Sequence, residues 1–339
     1  MNYKESKVVL GEIKKAKKIL LNCHRSPDPD AVGSATAMYQ VLTKMGKNVK
    51  VVTPSGLPEG SKFIPYSEKI EAVNFNKFDF NKFDFCIFLD SSSWDMVTDK
   101  KNLAHPRVSY VVIDHHDTNS EWGTINIVDK KRTSTAEIIY LVFKDWGIKI
   151  DKNIASSLMA GVIGDTGAFR FPGVGVETMK IGIELMKLGV DKDNVVFNIY
   201  QTIPFNLIKF YSEALSRVEI DKKNKFVWTS VPYEVYSKLS KPESARESTS
   251  SLFAQIVEDT EFGFVMVEQE KGKLLISFRS RTGFDTSKIA QKLGGGGHVY
   301  ASGAKVEGLP FEKAVARVLK VVRSYAKEYL RKHKNEQNS

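Results

Sequence analysis

With only two cysteines in 339 residues, Cys23 and Cys86, the chain has too few for a disulfide framework. Both fall in strand-like apolar runs rather than at the paired spacing of a thiolate zinc site. No apolar run approaches the roughly 18–20 residues of a membrane span. The first candidate, Ile19-Leu20-Leu21, is broken at once by Asn22 and His24, and the N-terminus lacks the apolar core of a secretory signal. Internal repeats and low-complexity tracts are also missing. These absences predict a soluble, cytoplasmic protein in a reducing compartment, with no membrane partner. The length suits two domains, each able to form its own core, so neither metal nor disulfide is needed for stability.

The formal net charge is +10, which favours a phosphate-rich partner. Its distribution weakens that inference. Residues 311–339 hold eight Lys or Arg against three Glu, half of the surplus, on one terminal helix and tail. A solvated helix face explains this at least as well as nucleic-acid binding does.

Apolar runs at 18–23, 49–53, 85–89 and 108–113 read as buried strands, separated by segments with helical spacing such as 31–45. Ser134-Thr135-Ala136-Glu137 has the form of a capping box and predicts a helix to about 146. A helix over 153–163 runs into Gly164-Asp165-Thr166-Gly167, and further helices are expected at 177–188 and 204–218. From about residue 222 shorter strands take over, with a hairpin over 262–279 turning at Gly272, a helix at 286–293 and a long amphipathic helix at 311–332. The expected fold is α/β: a mostly parallel sheet over 1–200, a helical linker over 201–221, and a smaller α+β domain over 222–339. Two unequal domains suggest a catalytic site between them.

The chemistry concentrates at the ends of the predicted strands. Asp114-His115-His116 follows the fourth run, where an open α/β sheet usually builds its site. His24, Asp28 and Asp30 follow the first, on a turn that Pro27 and Pro29 stiffen. Two acids one residue apart can diverge toward different ions; Asp90 is placed to bridge them, with His115 and Asp165 completing the set. A single Asp after a strand is more often a helix cap or turn former. Two His and four Asp at four such positions make coincidence a poor account. His105, His333, Asp95, Asp99 and Asp117 have no comparable partner set and stay outside the site. Imidazoles and carboxylates without thiolates suit a six-coordinate ion that prefers oxygen and tolerates nitrogen. Manganese fits better than magnesium or zinc, with cobalt and iron also compatible.

In order and spacing, His24-x-x-x-Asp28-x-Asp30, Asp90, Asp114-His115-His116 and Asp165 resemble the four motifs of the DHH phosphoesterase family. The resemblance implies two manganese ions, one held by His24, Asp28 and Asp90, the other by Asp30, Asp90, His115 and Asp165. It also implies that His116 faces the scissile phosphate and that Asp114 supports it.

Gly294-Gly295-Gly296-Gly297-His298 sits between a predicted helix and a predicted strand, not among the polar residues of a flexible linker. Its glycines expose backbone N–H groups to a phosphate. The run resembles the glycine-rich His motif of the DHH-associated domain, and Ser277-Phe278-Arg279-Ser280 resembles that domain's basic strand. Gly295, Gly296, Gly297, His298, Arg279 and Ser280 are thus the expected substrate contacts. Together the two domains are similar to NrnA-type oligoribonucleases. That similarity implies hydrolysis of short single-stranded RNA and linear dinucleotides such as pApA to 5′-mononucleotides, with cyclic di-AMP and 3′-phosphoadenosine 5′-phosphate as further candidate substrates. A homodimer is compatible with the resemblance. Two alternatives stand beside this reading, a manganese inorganic pyrophosphatase and a non-catalytic nucleotide-binding sensor.

Overall fold

The alternation of apolar runs and helical segments produces six strands in the first half of the chain. They are β1 (Lys18–Asn22), β2 (Asn48–Thr53), β3 (Ile70–Ala72), β4 (Phe85–Leu89), β5 (Tyr110–Asp114) and β6 (Ile125–Val128). The computed structural model describes residues 1–336, with side chains to Lys332, so the side chain of His333 and residues 337–339 lie outside what is described. The six strands form one sheet in the order β3-β2-β1-β4-β5-β6, parallel at every pairing. β1, β4 and β5 are buried almost throughout, which is why they read as continuous apolar runs. β3 and β6 are short, partly exposed edge strands without such a run, and the sequence did not reveal them.

Alternate strand residues serve two cores. Leu21, Ile87 and Ile113 pack with helices Pro29–Lys44, Thr135–Asp145 and Lys152–Asp165, while Leu20, Phe88 and Val112 meet Phe75, Phe80 and Trp94. β2 and β3 are laid down to one side of β1, and β4, β5 and β6 to the other. The loops leaving β1 and β4 therefore part and open a crevice at the C-terminal edge of the sheet.

Residues Met1–Thr202 make up this first compact unit, and a second begins at Ile203. Its sheet comprises β7 (Glu219–Asp221), β8 (Phe226–Val231), β9 (Phe262–Glu270), β10 (Lys273–Ser280), β11 (Gly296–Gly297) and β12 (Ala301–Glu307). The order is β11-β12-β10-β9-β8-β7; β8 and β9 run parallel and the other pairs antiparallel. Along β9, Phe262, Phe264 and Met266 face a core with helix Phe311–Glu336, and Val265 and Val267 face the opposite one.

From Ile203 on, the stretch 201–221, expected as a helical linker, falls within this second unit. Leu207, Phe210 and Ala214 of helix Phe205–Leu215 are buried with Val227 and Val231, so the helix covers a sheet face that would otherwise be wet. Among the described residues no helix is long and apolar enough to cross a membrane.

Candidate metal centre

Three loops and one helix end converge on the crevice. Asp28 is the N-cap of helix Pro29–Lys44 and accepts from the N–H groups of Asp30 and Ala31, both at 3.0 Å, so capping and site geometry are served by one carboxylate. Asp30 lies in the first turn of that helix, fully buried. Its Oδ2 accepts from Thr135 N–H at 2.6 Å and its Oδ1 from Ala136 N–H at 3.0 Å. The start of a second helix, capped by Ser134, thus holds Asp30 in place.

Asp90 follows β4 with φ +53°, a left-handed conformation that Asp tolerates better than most residues and that turns the chain sharply off the strand. Its buried carboxylate is shared. Oδ2 lies 3.4 Å from His24 Nε2, and Oδ1 lies 3.6 Å from both His115 Nε2 and His116 Nδ1. Asp165, at the end of helix Lys152–Asp165, approaches His115 Nε2 at 3.1 Å.

The ligand-type atoms form three overlapping groups, His24/Asp28/Asp90, Asp30/His115/Asp165 and Asp90/His115/His116, each within 4.8 Å. The structure therefore brings together all six residues expected at a metal and both expected beside it. Asp114 is buried and contacts the others through His116. Its Oδ1 accepts from His116 Nδ1 at 2.6 Å and its Oδ2 from Asn119 Nδ2 at 2.6 Å. Asp114 thus engages Nδ1 and orients the His116 ring.

His105 takes no part: it stacks on Trp94 at 4.9 Å and hydrogen-bonds Tyr110 Oη at 3.0 Å. Cys23 and Cys86 are buried, and burial drives both thiols up, Cys86 to about 12, so neither offers a thiolate near neutrality.

Electrostatics supply the test of fit. Burial and the neighbouring Asp90 and Asp165 hold the Asp30 carboxyl well above its ordinary range, and burial pushes Asp165 up to about 6 despite its bond to His115. Burial also opposes charge on His24 and His115, yet carboxylate contacts outweigh it and raise both. Four carboxylates crowd one site, and burial with neighbouring carboxylates raises Asp30 and Asp165, a cost that divalent ions would relieve. The fit to a metal centre is therefore good.

A pH dependence follows for protein stripped with chelator. Asp165, raised above its unfolded value, favours folding in acid and loses that contribution as pH climbs through about 6. His24, His115 and His116 act in the same sense above 6.5, whereas the lowered Asp28 and Asp114 matter only in stronger acid. The stripped protein should melt at a lower temperature at about pH 8 than at about pH 5.5, and manganese should narrow the difference. A thermal melt rising over the same interval would contradict this.

Sequence reasoning missed Thr135, Asn119 and Gly161. Thr135 donates to Asp90 Oδ1 at 3.0 Å in addition to its backbone bond to Asp30. A Cβ on Gly161 would lie 2.4 Å from Asp30 Oδ1, so this position in the helix interior must be glycine for Asp30 to reach its place. The capping box pointed to the Thr135 backbone; nothing local pointed to the other two.

In the second unit, the four-glycine run is an ordered strand edge. Gly296 and Gly297 pair with Gly303 and Ser302, and a Cβ on Gly295 would fall 2.1 Å from Gly303 O. Gly297 has φ +135°, and His298 N–H bonds Ala301 O at 2.7 Å to close the turn. Arg279 on β10 is half-buried, its Nε 3.4 Å from Ser251 Oγ and its Nη1 bonded to Phe278 O at 3.0 Å. Ser280 is buried and its hydroxyl accepts from Gly283 N–H at 3.0 Å, so its geometry serves a turn rather than a ligand.

Comparison with known proteins agrees with this architecture. The chain is 29% identical to the bifunctional oligoribonuclease and PAP phosphatase NrnA of Thermus thermophilus, across 95% of this chain and 94% of that protein. It is 27% identical to the Bacillus subtilis protein of the same name, across 85% and 89%. The crystal structure of an exopolyphosphatase-related protein from Bacteroides fragilis superposes with a TM-score of 0.87 at 24% identity, covering 95% of this chain and 96% of that one, which shows a shared fold. Residues 18–162 match the DHH family N-terminal domain and 242–328 match the DHHA1 domain, so the chain carries a DHH domain followed by a DHHA1 domain.

Proposed function

We propose that the protein is a two-metal phosphodiesterase that hydrolyses short RNA oligonucleotides and linear dinucleotides such as pApA to 5′-mononucleotides. The sharing of Asp90 carries this reading: its two oxygens face different histidines, as a ligand common to two adjacent ions would. His24, Asp28 and Asp90 would hold one ion, and Asp30, Asp90, His115 and Asp165 the other. Manganese suits this mixture of nitrogen and oxygen donors, and cobalt, iron or magnesium are weaker candidates. When bound, such a pair lowers the pKa of water and stabilises charge on phosphate oxygens.

The chain's own groups do the rest. Asp114 orients His116 and favours its protonated form, which would donate to the leaving oxygen through Nε2. Burial opposes that charge, but the bond to Asp114 together with the charges of Asp90 and Asp114 outweighs it. Arg279, His298 and the backbone of Gly295, Gly296 and Gly297 would anchor the substrate's phosphate, a contact that reads chain length rather than base sequence.

The names of the relatives support oligoribonucleotides and 3′-phosphoadenosine 5′-phosphate as substrates. The DHHA1 match in the second half favours this over a pyrophosphatase, and the complete ligand set over a sensor without turnover. The test compares pApA, cyclic di-AMP, a five-residue RNA, 3′-phosphoadenosine 5′-phosphate and pyrophosphate with manganese. The linear dinucleotide and the RNA should exceed pyrophosphate in kcat/KM by about 100-fold or more, as expected when a site is built for a second contact. Equal or faster pyrophosphate hydrolysis would reject the reading. Arg279→Ala should raise KM by about 10- to 100-fold with a smaller change in kcat.

A further inference from the structure

Arg246, in the first turn of helix Ala245–Phe253, was not among the residues marked by any motif. Its Nη2 pairs with the adjacent Glu247 carboxylate, but its Nε is buried and has no hydrogen-bond partner. The same helix carries Ser251, whose Oγ meets Arg279 Nε at 3.4 Å, and just beyond the helix Gln255 Nε2 bonds Ser280 O at 2.8 Å. The helix is thereby tied to the end of β10, with Arg246 brought within electrostatic range of Arg279.

Two guanidiniums gathered this way repel each other. Both are lowered to about 10, Arg279 by burial and Arg246 by burial together with the charge of Arg279, while each stays charged near neutrality. Among the described residues no carboxylate forms an ion pair with Arg279, and Glu247 alone pairs with Arg246. An arrangement with like charges together and a buried donor unmet destabilises the fold unless an anion completes it. Two forked donors match the dianionic, three-oxygen end of a phosphate monoester better than a singly charged diester.

We propose that Arg246 joins Arg279 in a paired-guanidinium clamp for the terminal phosphate monoester of the substrate, making Arg246 a specificity-determining residue. The inference rests on the phosphodiesterase reading and deepens it. It separates pApA, which carries a terminal monoester, from ApA, which carries none.

The experiment uses the full chain. In Arg246→Gln, the KM for pApA should rise by about 10-fold or more with less change in kcat, so that the preference for pApA over ApA shrinks by the same factor. Arg246→Lys should recover part of the preference, because a lysine restores the charge without the fork. Removing the repulsion and the unmet donor should leave the melting temperature of Arg246→Gln equal to or above that of the unsubstituted protein. A structural role would show the reverse, with melting temperature and the rates on both dinucleotides falling together, and that outcome or an unchanged preference would overturn the clamp. Calorimetric binding of 5′-AMP against adenosine keeps the two readings apart. If neither dinucleotide is cleaved the phosphodiesterase reading fails, whereas loss of the 5′-AMP advantage in Arg246→Gln still decides the clamp.

Discussion

Asp90→Asn should reduce metal-dependent hydrolysis by on the order of 10³-fold or more, roughly 4 kcal/mol of transition-state stabilisation. The size follows from position. A residue outside the ligand set typically costs about 10- to 100-fold, but Asp90 faces both ligand groups, so one substitution weakens both at once. Backbone strain does not confuse the result, since asparagine accepts the left-handed conformation as readily as aspartate. Without metal the variant should melt no lower than the parent, because a buried negative charge beside Asp30 and Asp165 has been removed. The manganese-induced rise in melting temperature should shrink. Titrating manganese while following both activity and melting is the measurement, and full retention of either response would refute the shared-ligand assignment.

Gly161→Ala should lower activity by about 10²-fold, the usual result of misplacing a catalytic group by an ångström. Two effects compete. Alanine gains about 1 kcal/mol over glycine in a helix interior. Against it, the new Cβ would lie 2.4 Å from Asp30 Oδ1 and 2.6 Å from Ala136 Cβ, and overpacking of this kind costs about 1–3 kcal/mol. The clash wins because Asp30 is pinned by two backbone N–H groups and cannot retreat. Gly11→Ala supplies the contrast: nothing lies within 4 Å of its Cβ, in helix Glu5–Lys15, so the same substitution should stabilise by about 0.5–1 kcal/mol. A Gly161→Ala protein with normal activity and a raised melting point would show that Asp30 does not depend on this close approach.

The features readable from sequence share one property: their signal is local. β1, β4 and β5 are buried on both faces and appear as unbroken apolar runs, and the candidate ligands other than Asp165, which ends a helix, follow their ends in the chain. Edge strands β3 and β6 are too short and too exposed to leave such a run, and helix Phe205–Leu215 reads as a connector because its partners, Val227 and Val231, lie further along the chain. Gly161 and Asn119 look like any helix glycine and any loop asparagine. Arg246 carries no motif at all; only its buried Nε and the nearby Arg279 single it out.

By itself, the sequence determined the parallel α/β first domain, the positions of the eight acidic and imidazole groups, and the type of ion they suit. Residue type and strand periodicity are properties of neighbours in the chain. Tertiary structure alone decided that Asp90 turns one oxygen to His24 and the other to His115, that Thr135 locks Asp30, and that Arg246 comes within electrostatic range of Arg279. Each of those depends on a strand order and on helix approaches that bring together residues tens of positions apart, which no local pattern encodes.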